Sequence, residues 1–545
     1  MTNNSKKFIS SLSLVNFMGF GKTIQTINFG IPDKKAGSGL TLITGQSSTG
    51  KSTIIKALIG IKTTPMAIET CPTDQTLITV EYGGTKYTYT KGEKQFALGQ
   101  WFEGDLAIEY KEYNKQCPFI IMNCRDYKHT YFDRDLDNIE ATEYISRLID
   151  VNTNNSYYYL PLLNYILNNK EYKDQFYELV QNIMPELNGE LKIETGGLID
   201  TTSKPGLCNL VYKTISGYKC LGSSLSDGWL SVLIISAKII LSNIKNCPII
   251  IDEPELHLYP SAQKRLAKLL SIEAKEKQII LMTHSPYFVD WYNFFNNASF
   301  IRTGNRQGYF TVYSLKHKSK YRNLLEKVVD HWKRPHLFDL VTKEIFFSDK
   351  ILFVEGQEDA GLIKNWLHNE YKRNQPEEYN YSFEIFGYGV NGVNNIPKFL
   401  DMVKDLGVKK VGVLTDKLVK DDDIQAIAEW KKNFNTECSY EFQELTTYDI
   451  RKKIKIDVDK LLEDHIDQET GKLKISDTII CDVNKCITFA DSGYFDTKGK
   501  VIKCSNCKVT ELLIDITKCV SSCKHASLIK IFDQFNEYFD EKADT

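Results

Sequence analysis

No stretch of this chain is apolar and uncharged for the roughly 20 residues that a membrane-spanning helix requires. The longest apolar run, Trp229 to Leu241, is shorter and carries Lys238. The N-terminal MTNNSKKFISSLSLVNF has no apolar core followed by a small-residue cleavage site. Surplus charge is lacking as well: 68 basic and 70 acidic residues leave a formal net charge of −2. No global basic field therefore advertises nucleic acid, although a local basic groove is compatible with that balance. A disulfide framework is not expected, because the 13 cysteines are an odd number in a long chain without a secretion signal. Most of them are expected reduced and buried. There is no internal repeat and no Gly/Pro-rich linker. What is present is the composition of a globular protein, 42% apolar and 25% charged, over 545 residues. That length predicts two or more domains, expected in the cytoplasm with no membrane partner.

The stretch from Gly39 to Gly60, GLTLITGQSSTGKSTIIKALIG, organises the rest. An apolar run predicts a buried strand. Gly-x-x-x-x-Gly-Lys-Ser follows, from Gly45 to Ser52, and then apolar positions of helical spacing, Ile54, Ile55, Ala57 and Leu58. Strand, glycine loop and helix in that order form a phosphate cradle. Gly45 and Gly50 permit backbone angles that other residues resist. The N–H groups of Gln46, Ser47, Ser48, Thr49 and Thr53 can then turn toward a triphosphate, with the helix start adding partial positive charge. Lys51 is placed to reach the β- and γ-phosphates of ATP, and the Ser52 hydroxyl to ligate Mg²⁺.

Alternating residues over 8–35 predict strands, Leu77–Tyr89 a hairpin turning at Gly83-Gly84, and Cys117–Asn123 a buried strand. Residues 136–187 have helical spacing and are too irregular for a long coiled coil, so they predict a helical insertion. From Cys220 onward come a Ser/Gly-rich loop, an apolar helix, the strand CPIIIDEPELHLYP, an amphipathic helix, and the strand IILMTHSPYFVD. Strands alternating with helices predict a parallel α/β sheet. A second α/β pattern begins after about residue 345.

An apolar strand ending in Asp-Glu is the expected companion of the glycine loop. Asp252 would hold the Mg²⁺ shell, and Glu253 would orient or deprotonate the attacking water. The competing reading is a helix N-cap, since Asp-Glu-Pro ahead of a helix is good capping chemistry. GQSSTGKST, LSDG at Leu225–Gly228, IIIDEPELHL at Ile249–Leu258 and THSP at Thr283–Pro286 follow the order found in ABC-type ATPases. More closely, the chain resembles the short, SMC-like branch that includes OLD-family proteins and related prokaryotic defence ATPases. The resemblance implies that the LSxG loop of one subunit closes on the γ-phosphate held by another. Ser226 and Gly228 would then act across the interface of a homodimer or higher oligomer of ATPase heads. It also implies that His284 contacts the γ-phosphate, against the alternative of a core histidine. His257 is assigned a structural or interface role. The family's Q-loop glutamine has no assigned counterpart.

An apolar strand followed by Glu355-Gly356-x-x-Asp359 resembles the first motif of TOPRIM domains, and VGVLTDK, with Asp416 past its strand, resembles the second. In such domains a glutamate and an Asp-x-Asp pair hold Mg²⁺ for phosphodiester cleavage. Clustered carboxylates at strand ends suit a hard cation, which stabilises the pentavalent phosphate and the leaving oxygen. Glu355 would be ligand or general base, with Asp359 and Asp416 as further ligands, against the plainer reading of surface acids. The sequence departs from the pattern at the second aspartate, where Leu418 stands. Asp421, Asp422 and Asp423 follow closely, and TTYDIRKK (Thr446–Lys453) is basic where some relatives are acidic.

Near the C-terminus, Cys504, Cys507, Cys519 and Cys523 have spacing that a tetrahedral Zn²⁺ could use, the alternative being scattered buried thiols. The expected architecture is α/β throughout. An ABC-type, SMC-like P-loop ATPase domain occupies 1–345, with its insertion at about 136–187. A smaller TOPRIM-like domain occupies 346–460, and a C-terminal subdomain 461–545. The resemblance implies an antiphage ATPase that gates a Mg²⁺-dependent DNA endonuclease. The alternative is an ATPase sensor or scaffold with a degenerate TOPRIM that controls a separate effector nuclease or toxin, as in Septu, retron and PARIS systems.

Overall fold

The structure is a computed structural model. It describes residues 8–59, 76–91, 99–123, 159–195, 208–221, 224–316, 343–354, 396–408, 410–415, 441–446, 472–476 and 479–482, together with Tyr321, Glu384, Ile385 and Gln425. The chain divides into two compact units, Met1–Ser319 and Lys320–Thr545.

In the first unit the elements run β1 (Ile9–Val15), β2 (Gln25–Asn28), β3 (Leu40–Gly45), α1 (Lys51–Ile59), β4 (Thr76–Tyr82), β5 (Thr85–Lys91), β6 (Gln100–Glu103), β7 (Leu106–Ile108), α2 (Tyr110–Gln116) and β8 (Ile120–Asn123). Then come α3 (Tyr159–Asn168), α4 (Lys170–Ile183), β9 (Glu190–Thr195), β10 (Cys208–Lys213), β11 (Lys219–Leu221), α5 (Asp227–Lys245), β12 (Ile249–Asp252), α6 (Pro260–Glu273), β13 (Ile279–Met282), α7 (Trp291–Phe295), β14 (Ser299–Arg306) and β15 (Tyr309–Ser314).

Two main sheets form from these strands among the described residues. One is an antiparallel meander in the order β2-β1-β4-β5-β6-β7. Its β4–β5 hairpin turns at Gly83 and Gly84, both at positive φ, as a tight hairpin turn demands. The other is ordered β15-β14-β3-β13-β12-β8, with β14, β3, β13, β12 and β8 parallel and β15 antiparallel at the edge. The sequence pattern separates the two kinds. β1 is buried at alternate positions in part, whereas every residue of β3, β12 and β13 is buried. A strand covered on both faces loses its two-residue alternation.

Gln278, 1% exposed, joins the sheets. Its side-chain oxygen accepts from the Ile9 backbone N–H at 2.8 Å, and its amide nitrogen donates to the carbonyls of Ile9 at 2.7 Å and Gly30 at 2.9 Å. A buried amide satisfied this fully fixes one relative placement of the layers, because any slip would leave desolvated polar groups.

Helix α5 is long and apolar enough to resemble a membrane span, yet 72% of its most apolar window is buried within the protein. The fold itself covers its apolar faces. Ser226 caps its start by accepting from the Trp229 N–H, and Asn246 ends it in the left-handed region at φ 51°. Helices α3 and α4 fall inside the segment expected to be helical; residues 136–158 of that segment lie outside the described residues. Cys117 and Cys247 are buried and form no disulfide.

In the second unit, β16 (Lys350–Val354), β17 (Glu384–Ile385), α8 (Ile396–Asp405), β18 (Lys410–Thr415) and β19 (Glu441–Thr446) form a parallel sheet in the order β17-β16-β18-β19. Phe399, Met402 and Val403 of α8 are buried, as are β16 residues Ile351 to Val354.

Candidate functional site

The strand order places β3 beside β13 and β13 beside β12, all parallel. Ile43 and Asp252 both pair with Met282, so β12 and β13 end level and β3 runs two residues further, to Gly45. The glycine loop, Asp252-Glu253 and Thr283-His284 therefore leave the same edge of one sheet. The carboxyl edge of a parallel sheet is where such folds bind ligands.

The loop itself has Gly45 at φ 129°, Ser48 at 60° and Gly50 at 97°. A Cβ on Gly45 would lie 2.3 Å from the Thr303 carbonyl oxygen, and one on Gly50 would lie 2.7 Å from the Phe310 ring. Both positions thus need glycine for space as well as for conformation. Thr49 Oγ1 donates to the Gln46 carbonyl at 2.7 Å and meets Thr303 Oγ1 at 2.6 Å, and Thr303 Oγ1 lies 3.1 Å from the Thr44 carbonyl it can donate to. Gln46, Ser47, Ser48 and Ser52 are exposed, Thr53 is half-buried, and Thr49, Gly50 and Lys51 are buried. Lys51 Nζ donates to the carbonyls of Gly45 at 2.9 Å and Gln46 at 2.7 Å. Its ammonium thus sits inside the curl of the loop at the head of α1.

Phe310 is a contributor that no sequence motif marks. Its ring lies against both Gly50 and Gly19, packs edge-on to Phe20 at 5.7 Å, and its backbone N–H donates to the Gly19 carbonyl. Gly50→Ala is expected to cost about 1–3 kcal/mol of stability, from the left-handed backbone and the displaced ring together. Melting of the single variant and of Gly50→Ala/Phe310→Ala separates the two: the second substitution should relieve the clash and leave the backbone strain.

Asp252 and Glu253 are each 7% exposed. Neither caps a helix, which overturns the capping alternative: α6 starts only at Pro260, behind Tyr259. Between them the chain makes two tight turns, with Leu256 N–H donating to the Glu253 carbonyl and Leu258 N–H to the Glu255 carbonyl. Glu253 at φ 54° and His257 at φ 63° occupy the left-handed region, which non-glycine residues adopt at a cost. The Glu253 N–H still donates to the Met282 carbonyl at 2.8 Å, so the acid is tied to β13 as it leaves the strand.

His284 is half-buried. Its backbone N–H donates to Glu255 Oε1 at 2.6 Å, and the Thr283 hydroxyl donates to Glu255 Oε2 at 2.7 Å. Burial pushes the Glu255 carboxyl above the usual range, and the bonds from His284 and Thr283 pull against that shift. Sequence spacing gives no hint of Glu255, because its partners are supplied by another strand.

Ser226 and Asp227 are exposed, while Leu225 and Gly228 are buried. A Cβ on Gly228 would meet the His257 carbonyl oxygen at 2.5 Å. Asp227 Oδ2 lies 3.8 Å from His257 Nδ1. The LSDG loop therefore rests on the loop that follows Glu253 and presents Ser226 outward.

The donors at the sheet edge fit Mg²⁺ bound with a nucleotide: a serine hydroxyl on the first turn of α1, and the Asp252 carboxylate one strand beyond β13. In the second unit, Val354 pairs with Leu414, so β16 and β18 end close to level. Glu355 follows β16 directly in the sequence, and Asp416 follows β18. Glu355, Asp359, Asp416, Cys504, Cys507, Cys519 and Cys523 lie outside the described residues. Among the described residues no cluster of three or more His, Cys, Asp or Glu is placed to hold a metal.

Comparison with known proteins finds matches to three segments of the chain. Residues 11–66 and 223–290 match AAA domain models, and residues 346–417 match the TOPRIM domain of proteins like the overcoming lysogenization defect protein. The OLD nuclease of Thermus scotoductus is 34% identical over 113 residues, 20% of this chain and 21% of that protein. Endonuclease GajA of Bacillus cereus is 27% identical over 203 residues, 34% of this chain and 27% of that one. The Old nuclease of Escherichia phage P2 is 26% identical over 207 residues, 36% and 32% of the two chains. The chain thus spans between 21% and 32% of the length of these relatives. A solved Smc head domain from Pyrococcus furiosus, bound to the C-terminal domain of ScpA, aligns at 15% identity with a TM-score of 0.41, over 59% of this chain and 100% of that one. This chain joins segments that match AAA domain models, with the glycine loop and the acidic strand end on one sheet edge, to a segment that matches an OLD-like TOPRIM domain, and so resembles the OLD-family proteins.

Proposed function

We propose that this protein is an ATP-hydrolysing antiphage defence enzyme whose ATPase domain gates a Mg²⁺-dependent DNA endonuclease in its TOPRIM domain. The observation that carries the reading is the parallel pairing of β3, β13 and β12, whose carboxyl ends gather the glycine loop, Asp252-Glu253 and His284 at one edge. Gly45 to Thr53 would bind ATP, with Ser52 and Asp252 holding its Mg²⁺. Glu253 would take the proton of the attacking water, and His284 would meet the γ-phosphate. Ser226 and Gly228 would seal the site of a second copy, and the outward position of Ser226 supports that role. Glu355, Asp359 and Asp416 would hold the second metal for DNA cleavage, and Cys504, Cys507, Cys519 and Cys523 would hold a structural Zn²⁺. The protein would work in the cytoplasm as a homo-oligomer.

One observation favours a second reading. Leu418 stands where the Asp-x-Asp pair needs its second carboxylate. A TOPRIM domain short of one ligand suits an ATPase sensor or scaffold that restrains a separate effector nuclease or toxin. Incubating the protein with plasmid and phage DNA, in Mg²⁺ or Mn²⁺, with and without ATP, decides between them. The endonuclease reading expects metal-dependent cleavage that ATP alters and that Glu355→Ala removes. DNA left intact by wild type and variant alike would establish the scaffold in its place.

A further inference from the structure

We infer that Glu255 is a positioning residue for His284, coupling the turn after Glu253 to the strand end that carries the histidine. The inference rests on the ATPase reading above. Glu255 lies on the segment Glu253–Tyr259, whose backbone is held in two turns and strained at Glu253 and His257. From there its carboxylate accepts two short bonds from β13's extension, one from the Thr283 hydroxyl and one from the His284 N–H. Thr283 is itself fully buried, and its hydroxyl oxygen also accepts from the Ser285 N–H at 2.9 Å. Gln263 of α6 braces the same two segments, donating to the Leu258 carbonyl at 2.7 Å and accepting from the Ser285 hydroxyl at 2.7 Å.

The arrangement sets where the His284 backbone can be, and so where its ring starts. It also has a second end. His257, two residues after Glu255, carries the carbonyl that packs on Gly228 and the imidazole beside Asp227. A force on the LSDG loop reaches His257 first, then Glu255, then His284. Glu255 has no role at the phosphates in this scheme. It acts by placing His284, and a displacement of about 1 Å at a reacting group is enough to cost on the order of a hundredfold in rate.

The chemistry of the two bonds predicts how substitutions differ. Alanine leaves the His284 N–H and the Thr283 hydroxyl without this acceptor. Aspartate keeps the charge but withdraws it by one methylene. Glutamine keeps the reach: its oxygen can accept from the His284 N–H, and its amide can donate to the Thr283 hydroxyl, which accepts as well as donates. The test is steady-state ATP hydrolysis by the full chain, with nucleotide affinity measured separately by a fluorescent ATP analogue. Glu255→Ala and Glu255→Asp should lower kcat on the order of tenfold to a hundredfold, with the affinity changed by less than about threefold. Glu255→Gln should recover kcat to within about threefold of wild type. Glu255→Asp combined with His284→Ala should be no slower than His284→Ala alone, because one residue acts through the other. Thermal melting screens out unfolded variants, and Asp serves should Ala not fold. Losses that multiply in the double variant overturn the inference, as does glutamine as slow as alanine or an affinity loss matching the loss in kcat. A wild type that binds ATP without hydrolysing it would remove the ATPase reading, and this inference with it.

Discussion

Glu253→Gln should stop ATP turnover almost completely while leaving nucleotide binding intact. A positioned general base contributes roughly 10²–10⁴-fold to rate, and the amide cannot take the proton of the attacking water. The substitution is close to isosteric, so little else should change. The Glu253 N–H bond to the Met282 carbonyl belongs to the backbone and survives, as does the turn closed by the Leu256 N–H. Binding and hydrolysis therefore separate in this variant. With ATP and Mg²⁺ it should accumulate the closed form in which two copies seal the nucleotides between them. Phosphate release measures the first effect, and light scattering on an ATP-equilibrated column measures the second. Turnover at the wild-type rate would show that Glu253 is not the base, and would shift attention to the other acids at the same sheet edge.

The separation of local from distant signals decides what was legible in the sequence. The β3–loop–α1 unit was legible because its chemistry is contiguous, from Leu40 to Leu58. The β4–β5 turn was legible because Gly83-Gly84 leaves few other ways to fold. Asp252-Glu253-Pro254 was ambiguous, since capping and catalysis use the same residue types. The structure removes capping by delaying α6 to Pro260. Glu255 was invisible, because Thr283 and His284 lie 28 and 29 residues further on. Thr303 and Phe310 were more distant still, meeting the glycine loop only because β14 pairs with β3 and β15 with β14. In the second unit the apolar runs of β16 and β18 announced a parallel pair, and their register places the strand ends together. Whether the carboxylates beyond those ends make a metal site is a question of side chains, which apolar patterning does not encode.

Lys51→Ala should weaken ATP binding about 10- to 100-fold, the loss of one or two charge-assisted bonds at roughly 1.5–3 kcal/mol each, discounted for the bonds exchanged. The discount has a structural origin. Lys51 Nζ donates to the Gly45 and Gln46 carbonyls at 2.9 and 2.7 Å, so phosphate oxygens must displace partners that already satisfy it. Its near-complete burial makes the exchange worthwhile, because an ammonium at 7% exposure gains more from an anion than one in open water does. ADP should lose less than ATP, since the γ-phosphate contact is missing from its bound state. The same bonds also hold the loop in its curl, so the variant should melt at a lower temperature before any nucleotide is added. Lys51→Arg keeps the charge but brings a planar fork too large for the curl, and should not restore affinity. Calorimetric titration with ATP and with ADP gives both affinities. Equal losses for the two nucleotides would place Lys51 on the β-phosphate alone, and no loss for either would remove it from the binding site.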